Sequence, residues 1–500
     1  MEESASAGIR HTYDGGFDYY VGGGVAVFDC DDDARPELYL AGGESPAALY
    51  QNRSRSGKRL RFERLESEVT DMTSVTGAYP LDIDSDGRGD LVVLRHGENV
   101  LLRGLGGCAF ERANEDWGFD GGSDWTTAFS ATWEDDHAWP TLAFGNYVDH
   151  FDEQHLAHCA PGYLYRPGTT DDGFAPPATL EPGRCALSML FSDWDGSGRR
   201  DLRVANDRHY YYNEGGDQLW QVDADAPPRL YTTQDGWKPV RIFGMGIAAE
   251  DLTGDGFLDY YLTSIGSNRL ETLESDPSAP SFVDVAFDHG ISVTTPAIGR
   301  PVDPSTSWHP EFDDVNNDGR LDLYVSKGNV DEAAGSALED PNELLLRRAD
   351  GTFERSAKAA GILSPIRTRG AALVDLNRDG LLDIVEVNRY ENVDLRRNVG
   401  RGSQKKPRPM GHWLGVKAVQ EGPNRDAIGA WIEVEAGAGL TTREVNVGGG
   451  HAGGGLGPVH FGLGQDDQAR VRVTWPDGTV GAWQTVEADQ VVTVERRDSP

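Results

Sequence analysis

The segment DLTGDGFLDYYL, from Asp251 to Leu262, joins a short acidic loop to an apolar strand and decides the fold. Acids stand at its first, fifth and ninth positions, a glycine stands sixth, and the run DYYL follows. Five other segments repeat this spacing, beginning at Asp29, Asp82, Asp193, Asp314 and Asp375. A degenerate copy begins at Trp133, where Trp133, His137 and Thr141 replace acidic positions. Seven starts separated by 51 to 63 residues predict seven blades of four strands, which is a β-propeller.

Apolar runs stand on both sides of each acidic loop. GGGVAVFD and ELYLA flank the first loop, and VTGAYPLD and DLVVL flank the second. Uninterrupted apolar runs are typical of inner strands that are buried on both faces. The connecting stretches alternate between polar and apolar residues around glycine turns, as outer strands do. The sequence therefore predicts an all-β chain.

The acidic loops have the composition of calcium sites. Side chains at positions 1, 3 and 5 of such a loop converge, glycine at position 6 allows the sharp turn, and the carbonyl at position 7 adds a ligand. The ninth-position acid completes the cage, and a set of hard oxygen ligands favours calcium over transition metals. An EF-hand is excluded because position 12 is valine, at Val93 and at Val325. A solvated turn without metal is the alternative for any single loop.

The sequence predicts up to six calcium ions with a structural role, and none in the loop that starts at Trp133. The predicted ligands are Asp29, Asp31, Asp33, Glu37, Asp82, Asp84, Asp86, Asp90, Asp193, Asp195, Ser197, Asp201, Asp251, Thr253, Asp255, Asp259, Asp314, Asn316, Asp318, Asp322, Asp375, Asn377, Asp379 and Asp383.

Charge and composition exclude several classes of partner. The chain has 46 Lys and Arg against 82 Asp and Glu, a formal net charge of −36. Nucleic acids and anionic membranes need a basic surface, so neither is an expected partner. The first residues, MEESASAGIRHTYDGG, lack the basic and apolar segments of a secretion signal. The expected location is cytoplasmic as the sequence is written, and extracellular if an export signal has been trimmed. Residues 1–7 are expected to be disordered.

The four cysteines are too few for a disulfide framework and lack metal-ligand spacing. Cys159 and Cys185 flank one long loop and are the pair that can join. Buried free thiols are the other interpretation.

The acidic loops with their DLYV-type strands resemble FG-GAP/VCBS repeats, as in integrin-type propellers. Further on, HWLGVKAV, NRDAIGAWIEV, HFGLG and VTWPDG resemble the ASPIC/UnbV domain. Together they resemble the cartilage acidic protein family, which implies a propeller followed by a small β domain. The expected division is a seven-bladed integrin-like propeller over 8–400, a linker over 401–411 and an ASPIC/UnbV-like β domain over 412–497. The glycine run GGGHAGGGL, 448–456, is interpreted as a loop of that domain.

Residues for a ligand site are expected on the face opposite the acidic loops, where the loops after the second strands open. The side chains placed there are polar, charged and aromatic, which is typical of small-molecule sites. The predicted substrate-binding residues are Arg95, His96, Trp125, Asn146, Tyr147, Asn206, Trp308, His309, Lys327 and Asn388. The predicted catalytic residues are Asp207, His209, His150, Asp149 and Arg389, in which a carboxylate beside a histidine forms an acid/base pair. Ordinary surface histidines are the alternative.

Two functions remain open from the sequence. Some bacterial members of the resembled family belong to natural-product gene clusters. The resemblance thus implies an enzyme that performs a non-redox step, such as cyclisation, hydrolysis or rearrangement, on a small molecule. The alternative is a non-catalytic, calcium-dependent adhesion or ligand-binding module with a protein or glycan partner, or a biosynthetic scaffold. Nucleophile-elbow, P-loop and HExxH motifs do not occur in the sequence.

Overall fold

The computed structural model describes residues 1–134, 137–152, 157–168, 173–207, 216–224, 226–274, 277–293, 305–330, 340–402, 408 and 410–496. Nearly all of the regular structure is β, which confirms the predicted class. Among the described residues, helix occurs in four short pieces: α1 (Ser4–Ala7), a 3₁₀ turn (Phe17–Tyr19), α2 (Ala286–His289) and α3 (Ala357–Ala360).

Seven antiparallel sheets follow one another between residues 25 and 396. The first sheet contains β1 (Val25–Phe28), β2 (Glu37–Leu40), β3 (Ala48–Asn52) and β4 (Phe62–Leu65). The second contains β5 (Val75–Leu81), β6 (Asp90–Arg95), β7 (Val100–Gly106) and β8 (Ala109–Arg112). The third contains β9 (Thr126–Thr132), β10 (Thr141–Asn146), β13 (Gly162–Tyr165) and β14 (Ala178–Leu180), with a separate hairpin of β11 (Val148–Phe151) and β12 (Ala157–Cys159).

Three of the remaining four sheets repeat this order of four strands, and the seventh has three strands within the described residues instead of the predicted four. The fourth contains β15 (Ala186–Ser192), β16 (Asp201–Asn206), β17 (Gln218–Gln221) and β18 (Arg229–Leu230). The fifth contains β19 (Ile247–Glu250), β20 (Asp259–Leu262), β21 (Arg269–Leu273) and β22 (Phe282–Asp284). The sixth contains β23 (Ser307–Asp313), β24 (Asp322–Lys327), β26 (Glu343–Arg347) and β27 (Phe353–Arg355); β25 (Asp340–Pro341) pairs with β28 (Pro365–Ile366). The seventh contains β29 (Thr368–Val374), β30 (Asp383–Asn388) and β31 (Asp394–Arg396).

The first strands of the seven sheets lie side by side. Each first strand contacts the first strand of the next sheet, and β29 of the seventh sheet contacts β1 of the first. Every residue of β1, β5, β9 and β15 is buried, as their apolar sequences predict. The sheets themselves stay separate, and none closes on itself within the described ranges. This is a propeller-type arrangement, with apolar cores between neighbouring sheets.

The C-terminal domain has two further sheets. Its strands are β32 (His412–Val419), β33 (Trp431–Ala436), β34 (Gly439–Glu444), β36 (Val459–Gly464), β37 (Gln468–Thr474), β38 (Gln484–Glu487) and β39 (Gln490–Glu495). The strand orders are β36-β32-β39 and β34-β33-β37-β38. β31 ends at Arg396 and β32 begins at His412, on either side of the predicted linker; residues 403–407, 409 and 497 lie outside the described ranges.

One loop of the C-terminal domain, residues 447–456, leaves its own sheets and enters the propeller-type part. We call it the central loop. It donates to main-chain oxygens of two first strands, from Gly449 N–H to Met189 O at 2.7 Å and from Gly450 N–H to Ile247 O at 2.6 Å. Its last part, β35 (Gly454–Leu456), pairs in parallel with β1. The sequence placed this glycine run in a domain loop but gave no sign of where the loop goes.

The first seven residues have a defined position instead of the predicted disorder. α1 is followed by Gly8 in a left-handed conformation, with φ of 93°. The buried carboxylate of Glu3 accepts a 3.1 Å hydrogen bond from Nε of Arg397, and the amino group of Met1 donates to Arg397 O at 2.7 Å. These contacts bind the start of the chain to the end of the seventh sheet.

All four cysteines form disulfides, so the free-thiol interpretation is wrong. Cys159 pairs with Cys185, and Cys30 pairs with Cys108. The second pair is 78 residues apart and joins the first acidic loop to the second sheet. Sequence spacing did not predict this pair because the two residues meet only when neighbouring sheets pack.

Candidate functional site

The acidic loops connect the first and second strands of their sheets, and each loop folds around its first aspartate. The amide of the sixth residue donates to that carboxylate; Gly87 donates to Asp82 at 3.0 Å and Gly380 donates to Asp375 at 2.7 Å. Glycine at the sixth position has φ of 86° at Gly87, a conformation that other residues rarely adopt. The predicted sharp turn is therefore present.

The ninth acid ties each loop to its sheet. In the second loop, Asp90 accepts from the amide of Ile83, at the second loop position, and from the amide of Gly104 in β7, both at 2.8 Å. Asp383 does the same in the last loop, with the amides of Leu376 and Asn398. These acids thus have a backbone-anchoring role that the ligand pattern alone did not predict.

Several loop oxygens have the surroundings of cation ligands. One carboxylate oxygen from each of Asp29, Asp31 and Asp33 lies within 4.8 Å of the others, and Asp82, Asp84 and Asp86 form an equivalent group. Buried oxygens without a hydrogen-bond partner occur in four loops; they are Asp31 Oδ1, Asp82 Oδ1, Asp193 Oδ1 and Asn377 Oδ1. Burial, with the charge of Asp426 and the neighbouring loop acids, raises the pKa of Asp82 to about 7. A hard cation would satisfy these oxygens, so the donor set fits calcium.

In the degenerate loop at Trp133, the carboxylate of Glu134 is paired with protein groups, while Asp135 and Asp136 lie outside the described residues. Glu134 forms an ion pair with Arg166, at 2.8 Å between Oε1 and Nε, and Thr141 donates to the same carboxylate. The acidic loop that begins at Asp193 is also partly neutralised by protein groups. Its ninth acid, Asp201, accepts from Arg199 Nε at 2.9 Å and from Trp194 Nε1 at 2.8 Å.

The opposite face, where first strands begin and second strands end, is here called the mouth. Three predicted substrate-binding asparagines are built into its framework and nearly fully buried: Asn146, Asn206 and Asn388. Thr126 Oγ1 donates to Asn146 Oδ1 at 2.7 Å, and Thr368 Oγ1 donates to Asn388 Oδ1 at 2.9 Å. These side chains tie the ends of second strands to first strands.

Four other predicted residues are also engaged within the protein. Lys327 is fully buried and its Nζ lies 3.2 Å from Asp340 Oδ2. Trp308 Nε1 donates to Gly328 O at 2.5 Å. Nδ1 of His309 accepts from the main-chain N–H of His451, at the tip of the central loop, at 3.0 Å. Arg389 is buried and donates to the main-chain oxygen of Gly15 at 2.5 Å.

The mouth brings Asp207 and Tyr147 together. The Tyr147 hydroxyl donates to Asp207 Oδ2 at 2.7 Å, while Asp207 Oδ1 is buried without a hydrogen-bond partner. Burial raises the pKa of Asp207 to about 7, and the bond from Tyr147 opposes that rise. Trp125 packs edge-on against Tyr147, with ring centroids 4.9 Å apart, and its Nε1 is also buried without a partner.

Of the two predicted histidine–carboxylate pairs, the structure describes one. His150 Nδ1 lies 2.7 Å from Asp149 Oδ2, as predicted, but both side chains are more than half exposed. His150 also stacks on His158 at 4.5 Å. His209, the predicted partner of Asp207, lies outside the described residues. Arg95 donates to the main-chain oxygens of Thr73 and Glu98.

Sequence reasoning missed the aromatic residues that precede β1. Phe17 contacts Tyr20 at 5.4 Å, Trp125 at 5.6 Å and Phe151 at 5.4 Å between ring centroids. His96 also packs edge-on against Trp125, with ring centroids 5.6 Å apart. The run FDYY at 17–20 was the available signal, but it precedes the first repeat and no repeat position marks it.

The Cys159–Cys185 disulfide lies beside the Tyr147–Asp207 pair. The amide of Asp207 donates to Cys185 O at 3.0 Å, and the amide of Ala160 donates to Tyr147 O at 2.9 Å. The bridge therefore links the loop that carries Tyr147 to the strand entry that holds Asp207.

Comparisons with known proteins identify the two parts of the chain. Residues 314–386 match the family model described as FG-GAP-like repeat, and residues 420–500 match the model described as ASPIC and UnbV. The chain thus carries an FG-GAP-like repeat region and an ASPIC/UnbV region, which confirms the resemblance seen in the sequence.

The curated proteins to which the chain is similar include cartilage acidic protein 1 from several vertebrates. The Homo sapiens protein is 30% identical over 158 residues, which cover 29% of this chain and 21% of the relative. The Xenopus tropicalis protein is 25% identical over 228 residues, covering 41% of this chain and 31% of the relative. The match thus spans less than a third of the length of either relative.

Solved structures overlap more of the chain at lower identity. A structure of BBS1N in complex with ARL6DN covers 80% of this chain and 96% of its own, with 10% identity and a TM-score of 0.46. An Agrocybe aegerita lectin specific for non-reducing terminal N-acetylglucosamine covers 67% and 79%, with 16% identity and a TM-score of 0.37. Within the described residues, no helix is long and apolar enough to cross a membrane.

Proposed function

We propose that the protein is a seven-bladed, calcium-stabilised propeller whose mouth binds a small molecule and transfers a proton to or from it. The seven sheets are the blades. The reaction is a non-redox step of bacterial natural-product biosynthesis, such as a cyclisation, hydrolysis or rearrangement. The Tyr147–Asp207 pair is the observation that carries this proposal.

Asp207 has the properties of an acid/base group. Its carboxyl group is buried, one oxygen is held by Tyr147 and the other has no hydrogen-bond partner. A pKa of about 7 lets it exist in either protonation state near neutral pH. Buried ionisable groups with such shifts concentrate at functional sites.

The surroundings of Asp207 support a small-molecule site. Tyr147 is buried beside it, and buried Trp125 packs on Tyr147. The rings of Phe17 and Phe151 continue from Trp125 and are 41% and 43% exposed. Aromatic side chains of this kind bind apolar bodies, while one polar group near them fixes orientation. These apolar rings thus lead through Tyr147 to the carboxyl group of Asp207.

Calcium in this proposal is held by the acidic loops, on the face away from the mouth. Bound calcium supplies charge neutralisation, and it stabilises the folded state by mass action. The carboxylates of Asp29, Asp31, Asp33 and of Asp82, Asp84, Asp86 are the best-formed groups. Without such a cation, the buried acids of each loop repel one another.

A binding module or scaffold is the second candidate. The exposed rings of Phe17 and Phe151 favour it, because exposed aromatic rings also stack on glycans and protein surfaces. In that case Asp207 contributes to recognition without turnover.

The test uses purified, calcium-loaded protein and an extract from cells that lack the gene. Chromatography with mass spectrometry follows the loss of one compound and the appearance of another. We expect conversion by the wild type, and at least a hundredfold slower conversion by Asp207→Asn, the scale of a lost acid/base group. Asp288→Asn, at an exposed acid of α2, is the matched control. Equal conversion by Asp207→Asn would overturn the assignment, and binding without conversion would favour the module.

A further inference from the structure

Three arginines lie together at the mouth end of the seventh sheet. Arg367 and Arg369 stand at the entry to β29, and Arg389 directly follows β30. None of the three forms an ion pair with an acid in the described part of the chain. Their neighbours Arg396 and Arg397 do, with Glu386 and Glu3. Unpaired guanidinium groups side by side are unexpected in a chain of net charge −36.

The two inner arginines are held by neutral groups. Arg369 is fully buried, donates to the main-chain oxygens of Tyr20, Gly328 and Asn329 at 3.0 to 3.2 Å, and lies 4.3 Å from the Trp308 ring. These carbonyl groups satisfy hydrogen bonds but leave the positive charge in place.

Arg389 lies between two rings. Its guanidinium carbon is 4.7 Å from the centroid of Tyr20 and 4.5 Å from that of Tyr390. Its terminal nitrogens donate to main-chain oxygens, including Gly15 O. Its Nε is buried and has no hydrogen-bond partner, so one donor is left over.

Arg367 is the accessible member. It is half-buried, and its guanidinium lies 5.1 Å from the Tyr390 ring, which is 47% exposed. Its guanidinium makes no hydrogen bond to a described residue, while its main-chain oxygen accepts from the amide of Arg389 at 2.8 Å. A guanidinium presents its donors in a planar fork that matches a carboxylate or phosphate group.

The three charges act on one another. Burial lowers the pKa of Arg369 well below its ordinary value, and the positive charges of Arg389 and Arg367 lower it further. Like charges held together away from water are unfavourable, and an anion placed beside them would offset that repulsion. The arrangement is therefore incomplete without a negative group.

A row of rings leads from the arginines to Asp207. Tyr20 packs against Arg389 and, at 5.4 Å, against Phe17. Phe17 packs on Trp125, and Trp125 packs on Tyr147, which donates to Asp207. The mouth thus has a cationic end, an apolar middle and an acid at the far end.

We propose that Arg367, with Arg389 behind it, binds an oxyanion group of the mouth ligand, either a carboxylate or a phosphate. The ligand class is an amphiphilic small-molecule acid whose apolar body follows the row of rings towards Asp207. This inference rests on the proposed function, because it uses the same mouth, and it adds the chemical class of the substrate.

The test measures binding of chosen probes by titration calorimetry in calcium buffer. Octanoate is the carboxylate probe, octanol is its uncharged control, and sulfate replaces phosphate because it leaves millimolar calcium in solution. We expect octanoate to bind and octanol to bind at least tenfold more weakly. Arg367→Gln should weaken octanoate binding roughly tenfold, as expected for one lost charge-assisted hydrogen bond. Arg348→Gln, at an exposed arginine that directly follows β26, should stay within twofold of the wild type.

The outcomes separate this inference from the proposed function. Sulfate that competes with octanoate indicates a site suited to phosphates, and octanoate binding without competition indicates a carboxylate site; both support the inference. Equal binding by the wild type and a folded Arg367→Gln variant overturns it, and Arg367→Glu repeats the comparison with reversed charge. If the oxyanion probes fail while Asp207→Asn still abolishes conversion, only this inference is lost. If the oxyanion probes fail and Asp207→Asn also leaves conversion unaffected, both this inference and the proposed function are overturned.

Discussion

The Tyr147 hydroxyl donates a 2.7 Å hydrogen bond to Oδ2 of Asp207 across the junction of the third and fourth sheets. No charged group among the described residues contributes to the pKa of Asp207, which is set by burial and by this one bond. The pair therefore depends on how two neighbouring sheets are held together at the mouth.

Asp207 should make stability depend on pH. Its pKa in the folded state, about 7, is higher than its ordinary value of 3.8, so the folded state holds the proton more tightly. The associated stability is complete below pH 3.8 and is lost as the pH rises through 7. Between pH 5 and pH 8, the wild type should lose roughly 2 to 3 kcal/mol relative to Asp207→Asn. Urea unfolding at both pH values measures this, and a constant difference between the two proteins would contradict the account.

Calcium removal should lower the melting temperature. Each site saturated at about 100 times its dissociation constant contributes about 2.7 kcal/mol, so the loss of several ions is large. Asp84→Asn, in one of the two groups with three converging carboxylates, should reduce the bound calcium by one ion per chain. Equilibrium dialysis with metal analysis counts the ions, and Asp149→Asn should leave the count unchanged. A melting temperature unmoved by EDTA would show that the loops need no metal.

The central loop packs so closely against Gly24 that a side chain at this position should destabilise the protein. A Cβ at Gly24 would lie 1.7 Å from Ala452 O, and one at Gly77 would lie 2.1 Å from the same oxygen. Because this neighbour is backbone, we expect Gly24→Ala to cost about 2 to 4 kcal/mol of unfolding free energy. Gly16→Ala, where a Cβ meets nothing within 4 Å, is the control and should change stability by less than about 0.5 kcal/mol. Equal stability of the two variants would place the loop elsewhere.

The two disulfides should differ in their effect on the mouth. In a chain-entropy estimate, the 26-residue Cys159–Cys185 link contributes about 3.5 kcal/mol and the 78-residue Cys30–Cys108 link about 4.5 kcal/mol. Replacing either pair with serine should therefore lower the melting temperature. Only the Cys159/Cys185 replacement should also slow conversion of the ligand, because Cys185 O holds the amide of Asp207. A larger loss of conversion in the Cys30/Cys108 variant would argue against this role.

The repeat spacing predicted the all-β class and the sharp acidic turns because both depend on residues close in sequence. The ninth acid was predicted as a metal ligand, yet Asp90 also anchors its loop to Gly104, a contact made only by pairing with β7. The path of the central loop was hidden for a similar reason. Five positions before each loop start stand Gly24, Gly77, Ala128, Ser188, Gly246, His309 and Gly370, a set of mostly small residues. The structure explains these small residues, because the central loop occupies the space that larger side chains at Gly24, Gly77 and Gly246 would need.

The predicted mouth residues show the same limit. Counting along the repeats placed Tyr147 and Asp207 correctly at the ends of second strands, and the structure joins them. Counting did not distinguish framework residues such as Asn388 from exposed ones such as His96, because burial depends on the neighbouring sheet. Phe17 lay outside the repeats altogether.

The metabolite profile of cells that carry Asp207→Asn tests the central claim most directly. The variant should fold, bind calcium and retain the protein level of the wild type, while the small-molecule product disappears and its precursor accumulates. Cells that carry Asp288→Asn should keep the wild-type profile. An unchanged product profile in cells with folded Asp207→Asn protein would contradict a proton-transfer site at the mouth.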